Sequence, residues 1–260
     1  MSPQVSARPE PYCGPAPLPE TLLAAWTFDP VLLAGLVAAG LAGLWQVART
    51  GHAAQRRALG VATAAGVVAF VSPLCALTVA LFAARGLHHL LLIFALAPAL
   101  AVLRPLRLRA GAGLPALVGL SAALWAWHVP AVYAAAWDHA AVYWALQAAL
   151  IWPAWAFWSG LLDPKRDVAS SLSGALQLAA LAGQMGLIGA ILTFAPRPLY
   201  PEHLVHTEAF GLTPLADQQL AGLVMWVPGM VPAAVAAGWM LHRAWKLSAA
   251  ATGRAQGAHG

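Results

Sequence analysis

Charged residues are scarce in this chain. Lys, Arg, Asp and Glu make up 9% of its 260 residues, whereas hydrophobic residues make up 61%. About a quarter of the residues in a typical soluble domain are charged, so this composition excludes an ordinary soluble protein. The mean hydropathy of +0.71 also indicates that the chain is not an ordinary soluble protein. The composition therefore predicts an integral membrane protein.

Cysteine is also rare, because Cys13 and Cys75 are the only two in the chain. They do not form a C-x-x-C or C-x-C pair, so the sequence does not predict a cysteine-based metal site. The distribution of basic residues along the chain predicts that both cysteines lie on the outer side of the membrane. There they either form one disulfide in an oxidising compartment or leave Cys75 as a small buried hydrophobic residue. The sequence leaves both alternatives open.

Long apolar stretches fill most of the remaining sequence. A helix needs roughly 20 mostly apolar residues to cross the hydrocarbon core, and in lipid its backbone groups must bond within the helix. The pattern predicts an all-α fold, a polytopic membrane helix bundle with about seven transmembrane helices. The predicted spans are residues 31–48, 57–73, 87–103, 115–136, 140–162, 172–195 and 218–241. Residues 74–84 are too short to cross and are predicted as an interfacial helix or re-entrant segment.

The spans divide the chain into three regions. Residues 1–29 hold six prolines and are predicted to form a polar extracytoplasmic tail. A cleavable signal peptide is not expected there, because a basic start followed by an apolar region is missing. Residues 30–246 are predicted as the seven-helix transmembrane domain, and residues 247–260 as a flexible cytoplasmic tail.

Basic residues are divided unequally between the two sides of the predicted bundle. Eleven of the 14 lie on one side, and only Arg8, Arg85 and Arg197 lie on the other. By the positive-inside rule the first side is cytoplasmic, which places the N-terminus outside and the C-terminus in the cytoplasm. This topology and contact with anionic lipid head groups explain the net charge of +5, so no nucleic-acid partner is predicted.

Six of the nine histidines are predicted to lie at the outer end of the bundle. They are His88, His89, His128, His139, His203 and His206. His89 and His128 lie inside apolar spans, where a histidine is costly without a partner, so the sequence favours a functional role for them. Adjacent helical positions point about 100° apart, so only one of His88 and His89 is expected to face the bundle squarely. The loop residues His203 and His206 are more typical of solvated side chains.

A polar stripe begins the fifth predicted span. His139, Tyr143 and Gln147 follow one another at four-residue intervals. Residues at this spacing share one face of a helix. Polar groups without partners in hydrocarbon cost on the order of a few kcal/mol each, so the stripe is predicted to face the interior of the bundle.

The last span opens with a helix-start signal. Thr213 is predicted as its N-cap and Pro214 as its first helical residue. Asp217 in the first turn is favoured by the helix dipole alone, and it is also a candidate functional residue. Three glycines in the sixth span are predicted to permit close helix packing: Gly183, Gly186 and Gly189.

Several short motifs together resemble the multi-span CtaG family, whose members are assembly factors for caa-type cytochrome c oxidases. The resemblance covers roughly residues 30–242, and its final motif is specific. The motifs are Leu87-His88-His89-Leu90-Leu91-Leu92, Trp127-His128-Val129-Pro130 with Tyr133, Phe157-Trp158, Pro198-Leu199-Tyr200, and Leu212 to Gly222 continued by Met225-Trp226-Val227-Pro228-Gly229.

The resemblance implies a multi-pass protein of the bacterial cell (inner) membrane that helps a haem-copper oxidase to mature. It implies that the protein is not an enzyme, that it assists copper delivery to the catalytic subunit, and that its partners are oxidase subunits and membrane lipid. His89 and His128 correspond to family histidines, and Asp217-Gln218-Gln219 to its D-Q-Q element.

The chain departs from the family pattern at positions that matter for copper. A histidine is expected where Arg85 stands, others near Tyr143 and Gln147, and an acid where Leu146 stands. At the rim, Arg85 would repel a metal cation. Two hypotheses therefore stay open. Either the chain assists assembly without holding metal, or it binds copper through a reduced set of ligands, namely His89, His128, His139, Asp217 and Met225.

Two functions from other classes are also compatible with buried histidines. The first is a small haem- or quinone-binding electron-transfer protein, in which histidines between the spans serve as axial ligands. The second is a transporter that uses the acid and the histidines as a proton relay. The transporter is disfavoured because the sequence shows no inverted repeat of broken helices.

Overall fold

The computed structural model describes residues 10–108 and 112–257, and every regular element within these ranges is helical. A π-helical segment, Leu92–Leu96, joins α4 to α5, and three short 3-10 turns lie outside the long helices. The ten α-helices of the described ranges are α1 Pro30–Thr50, α2 Ala53–Phe70, α3 Pro73–Ala80, α4 Phe82–Leu91, α5 Ala97–Leu103, α6 Gly113–Trp127, α7 Pro130–Asp138, α8 Ala140–Leu161, α9 Val168–Phe194 and α10 Pro214–Gly257.

Five continuous helices are long and apolar enough to cross a membrane, and the number rises to seven if two bent pairs each form one span. The continuous spans are α1, the stretch from α4 to α5, α8, α9 and α10. In the bent pairs, α2 meets α3 at 42° and α6 meets α7 at 77°. The prediction of an all-helical membrane bundle is confirmed, with five to seven candidate spans.

Proline begins the second helix of each bent pair. Pro73 follows Ser72, whose side chain caps α3 by accepting a hydrogen bond from the backbone N–H of Leu74 at 3.2 Å. Pro130 follows the extended residue Val129. Proline lacks a backbone N–H and disfavours helical geometry in the residue before it, so each helix stops and restarts in a new direction. The segment predicted as an interfacial helix or re-entrant segment, residues 74–84, thus comprises most of α3 and the first residues of α4, and α2 with α3 forms either a broken span or a re-entrant loop.

Helices α9 and α10 approach closely at two glycines. A Cβ atom added to Gly189 would lie 2.7 Å from the backbone oxygen of Gly222, which leaves no room for a side chain. The prediction of close packing is confirmed for Gly189. It is wrong for Gly183, which is exposed and where an added Cβ would meet nothing within 4 Å.

Helix α4 is enclosed by other helices on nearly all sides. His88 and His89 are exposed by only 0% and 1%, so the expectation that just one of them faces the bundle is wrong. The ring of Phe70 from α2 packs against His88, with 5.4 Å between centroids. Trp127 from α6 packs against His89 at 5.0 Å. A helix surrounded in this way has two inward faces.

The segment before α1 is attached to the bundle by a disulfide between Cys13 and Cys75. Of the two alternatives for these cysteines, the structure therefore has the bonded one. The ring of Tyr12 stacks on Tyr143 at 5.2 Å and meets the edge of Trp144 at 5.1 Å. Residues 11–13 thus lie against the bundle. The predicted boundaries of the three regions stay a prediction, and α10 itself continues to Gly257.

The two ends of the bundle carry different side chains. We call one the histidine end. It comprises the start of α4, the end of α6 and the loop of residues 195–213, and it holds His88, His89, His128 and His203. We call the opposite end the basic end. It comprises the ends of α5 and α8 and the start of α9, and it holds Arg104, Lys165 and Arg166.

Candidate functional site

Helix α4 receives its N-terminal cap from another helix. It begins at Phe82 without a side-chain cap of its own. Asp217 in the first turn of α10 accepts the backbone N–H of Phe82 at 2.6 Å and that of Ala83 at 3.1 Å, one on each carboxylate oxygen. A carboxylate at this position also stabilises the positive end of the helix dipole. Asp217 is fully buried, and both of its oxygens hold the helix that carries His88 and His89.

The next residue, Gln218, holds the loop that covers the histidine end. Its side-chain oxygen accepts the backbone N–H of Leu199 at 2.6 Å, and its amide donates to the carbonyl of Leu192 at 3.3 Å. The hydroxyl of Tyr200 then donates to the carbonyl of His128 at 2.9 Å. Burial raises the pKa of Tyr200, which keeps this donor protonated. The D-Q-Q and Pro-Leu-Tyr motifs thus position the helices and the loop around the site.

His203 lies inside the protein and not in solvent, so the sequence-based expectation for it is wrong. Its ring is 2% exposed because the loop folds back against Phe82 and Tyr133. Nδ1 donates to the carbonyl of Ala80 at 3.3 Å, so Nε2 accepts the Tyr133 hydroxyl at 2.8 Å. Burial lowers the pKa of His203 to about 3, so the ring is neutral at physiological pH. His206 is half-buried in the same loop.

His89 and His128 face each other with nitrogens available. Their ring centroids are 5.8 Å apart, and the ring of His88 lies 6.0 Å from that of His89. Nδ1 of His128 donates to the carbonyl of Leu124 at 2.7 Å, which fixes the tautomer with its lone pair on Nε2. Neither ring nitrogen of His89 has a hydrogen-bond partner within the described ranges. The structure therefore confirms that these two histidines belong to one cluster.

Arg85 is the central residue that sequence reasoning misplaced. It was expected as a charge at the rim, but it is only 5% exposed. Its guanidinium carbon lies 5.3 Å from the ring centroid of Trp127, 5.6 Å from that of Tyr143 and 6.0 Å from that of Tyr133. The four-residue spacing from Arg85 to His89 places both on one face of α4, and this spacing is the signal that could have located it.

The predicted polar stripe on α8 is only partly correct. Tyr143 and Gln147 are buried, and the amide of Gln147 has no hydrogen-bond partner in the part of the chain that the structure describes. His139, in contrast, is exposed. It is the N-cap of α8 and has extended backbone angles, so its side chain leaves the helical face that the spacing assumed.

The five predicted copper ligands do not all converge. His89 and His128 are neighbours, His139 is exposed, and Asp217 is bonded to the backbone of α4. Met225 is buried on α10, and its Cγ would lie 3.5 Å from a Cβ atom added to Gly86. Residues 10–108 and 112–257 hold no group of three or more His, Cys, Asp or Glu side chains suited to a metal ion. What remains for a metal is a pair of imidazoles.

The fold and the site define a multi-pass helical membrane protein with a buried polar cluster at one end of the bundle. Residues 111–246 match the family model of the cytochrome c oxidase caa3 assembly factors, Caa3_CtaG. The chain therefore belongs to this family, and its role lies in cytochrome c oxidase assembly. The match includes His128 and the D-Q-Q element. No curated protein and no solved structure matches the chain.

Proposed function

We propose that the chain carries copper, as Cu(I), to the catalytic subunit of a caa3-type oxidase, and that it does so without catalysing a reaction. Copper in this proposal is cargo that is bound and then released. The observation that carries the proposal is the pair formed by buried His89 and half-buried His128, whose rings meet edge to face and in which neither nitrogen of His89 has a partner among the described residues. Imidazole is a suitable ligand for copper.

The spacing of the two rings suits one shared ion. Metal–nitrogen bonds to imidazole are about 2 Å long, so two rings that share an ion have their centroids roughly 6 Å apart. The observed separation is 5.8 Å. The carbonyl of Leu124 holds the tautomer of His128, which is the supporting role that second-shell groups have at metal sites. Two imidazoles form a sparse ligand set, which favours release to a partner with more ligands.

Arg85 limits which oxidation state this pair holds. Its guanidinium and the ring of His89 both pack against Trp127. Coulomb repulsion between the guanidinium and a bound ion scales with the charge of the ion, so it is half as large for Cu(I) as for Cu(II). The position of Arg85 therefore supports a monovalent cargo.

We further propose that the histidine end faces the outside of the bacterial inner membrane. The basic end holds most of the cationic side chains, which the positive-inside rule places in the cytoplasm next to anionic lipid. Copper would then enter and leave the protein on the outer side.

A competition assay tests the copper site directly. The purified full-length protein is titrated anaerobically with Cu(I) against a chromophoric chelator. We expect one tightly held Cu(I) per chain, and a loss of affinity of more than about tenfold when His89→Ala or His128→Ala is introduced. His242→Ala serves as the matched control, because His242 is exposed at the other end of α10. Equal affinities in all four proteins would show that the pair is not the copper site.

A genetic test addresses the cellular role. Deletion of the gene should lower oxidase activity, and added copper should partly restore it. The His89→Ala and His128→Ala variants should stay in the membrane but fail to complement the deletion. If a protein carrying both substitutions restored full oxidase activity, the chain would assist assembly in another way.

A further inference from the structure

A narrow cavity lies beside the guanidinium of Arg85. The space open to the centre of a water-sized sphere is about 10 Å³. Because this is the space for the centre of the sphere alone, the cavity itself is larger and admits one water molecule or one small ion. The walls include Arg85, the rings of Trp127, Tyr133 and Tyr143, and residues Tyr12 and Cys13 of the N-terminal segment. The cavity is therefore small, and a positive charge lines it.

Arg85 brings hydrogen-bond donors to this cavity that the protein does not satisfy. Its Nε and Nη1 have no hydrogen-bond partner among the residues the structure describes, although the side chain is buried. An arginine side chain keeps its charge at all physiological pH values. A buried charge is costly unless it is paired and its donors are satisfied. A bound water would accept a hydrogen bond, but only an anion also neutralises the charge.

The described residues that line the cavity include no carboxylate that could pair with the guanidinium. The rings of Trp127 and Tyr143 form part of the wall, and the guanidinium lies over them. The hydroxyl of Tyr143 lies 3.8 Å from the sulfur of Cys13, which has no hydrogen to donate because it is disulfide-bonded. A sulfur is a weak acceptor, and this hydroxyl also interacts with the side chains of Arg85 and Gln147.

We propose that the Arg85 cavity binds one small monovalent anion, a halide or a carboxylate as small as formate. The guanidinium Nε and Nη1 groups are its main donors. The Cys13–Cys75 disulfide holds the N-terminal segment over the cavity, so the site excludes larger anions and the side chains of partner proteins. The site is tested independently of the copper proposal, although a bound anion would offset the charge of Arg85 on which the preference for Cu(I) rests.

Thermal unfolding of the purified full-length protein tests the site. The melting temperature is measured in chloride, bromide and formate, and then in gluconate and benzoate at equal ionic strength. We expect the three small anions to raise the melting temperature by about 2 to 4 °C over the bulky ones. Arg85→Gln should abolish the difference. Arg197→Gln should retain it, because Arg197 is an exposed arginine of the same end.

A second measurement covers the case in which Arg85→Gln does not fold. Bound chloride broadens the ³⁵Cl NMR line of the wild-type protein, and formate should remove the broadening by competition, whereas benzoate should not. A melting temperature that is the same in all five salts, or a line width that formate leaves unchanged, would show that the cavity holds water only and would overturn the proposal.

Discussion

Both ends of the bundle are rich in polar groups, but the burial and hydrogen bonding of these groups differ between the two ends. At the basic end, the terminal nitrogens of Arg166 donate to the carbonyls of Gly160 and Ser170, and Arg243 donates to the carbonyl of Pro164. Carbonyls near helix ends are natural acceptors for such side chains. At the histidine end, Arg85 and His89 are more deeply buried, and nitrogens of both have no partner in the described part of the chain. At the basic end, Nε of Arg166 and the hydroxyl of Ser171 also lack a partner there, but the terminal nitrogens of Arg166 are bonded.

The difference shows which kind of polarity indicates a functional site. The density of charge is higher at the basic end, where arginine side chains bond carbonyls near helix ends. Buried polar groups without partners are uncommon in folded proteins, and each one calls for an explanation. At the histidine end such groups lie on three residues of one helix, namely Arg85, His88 and His89.

The largest effect is expected at Asp217. Asp217→Ala leaves two buried N–H groups of α4 without acceptors, and two hydrogen bonds to a charged group contribute about 4 kcal/mol together. The free energy of unfolding in mixed micelles should fall by about this amount. Asp167, which caps α9 at the basic end by accepting from Ser170, is the matched control, and Asp167→Ala should have a much smaller effect because that cap is exposed. Similar losses in the two variants would contradict the contrast.

The next effect concerns the disulfide that closes the histidine end. It links residues 62 positions apart. Cys13→Ser should lower the free energy of unfolding by about 3 kcal/mol, because the bond no longer restricts the unfolded chain. The protein should also become more sensitive to proteolysis near residue 13. The wild-type protein with its disulfide reduced is the control, and it should behave like the variant. A fully stable Cys13→Ser protein would mean that aromatic packing of Tyr12 alone holds the segment.

Two glycines of α10 should respond in opposite ways to the same substitution. A Cβ atom at Gly222 would lie 2.5 Å from the backbone oxygen of Gly189, so Gly222→Ala should destabilise the protein by about 2 kcal/mol. Gly238 lies toward the basic end and would meet nothing within 4 Å. Gly238→Ala should therefore stabilise the helix by up to about 1 kcal/mol. Chemical unfolding measures the free energy of unfolding of both variants. A loss of stability in Gly238→Ala would contradict this expectation.

The smallest effect is a pH dependence caused by His203. Its pKa is about 3 in the folded protein and near 6.5 when unfolded, so the unfolded state binds more protons between these values. Stability is therefore complete above pH 6.5 and falls as the pH decreases toward 3. One pH unit below 6.5 costs about 1 kcal/mol. His203→Gln should remove this share of the dependence, as measured by chemical unfolding at a series of pH values.

Much of the fold was predictable from local patterns. Apolar stretches located the candidate spans, and the Thr213-Pro214 signal located the start of α10, where Thr213 accepts the backbone N–H of Ala216 at 3.1 Å. The adjacency of His89 and His128 also followed from two polar residues inside apolar spans. In each case the decisive information lies within a few residues of the feature, which is what periodicity and capping rules describe.

The remaining features depend on contacts between distant parts of the chain. Asp217 caps a residue 135 positions earlier, and His203 bonds Tyr133 from 70 positions away. No local pattern records such partners. The burial of Arg85 was missed for a related reason, since it depends on rings from α6, α7 and α8 that surround the guanidinium. Charge and depth alone placed it at the membrane surface.

The cap that α10 provides to α4 has a consequence for the order of biosynthesis. The third span leaves the ribosome long before the last one, so α4 enters the membrane while the backbone groups at its start still lack their acceptor. Its histidines reach their final positions only after Asp217 has been synthesised and inserted. The site is thus completed among the last events of folding, and a chain truncated before α10 cannot form it.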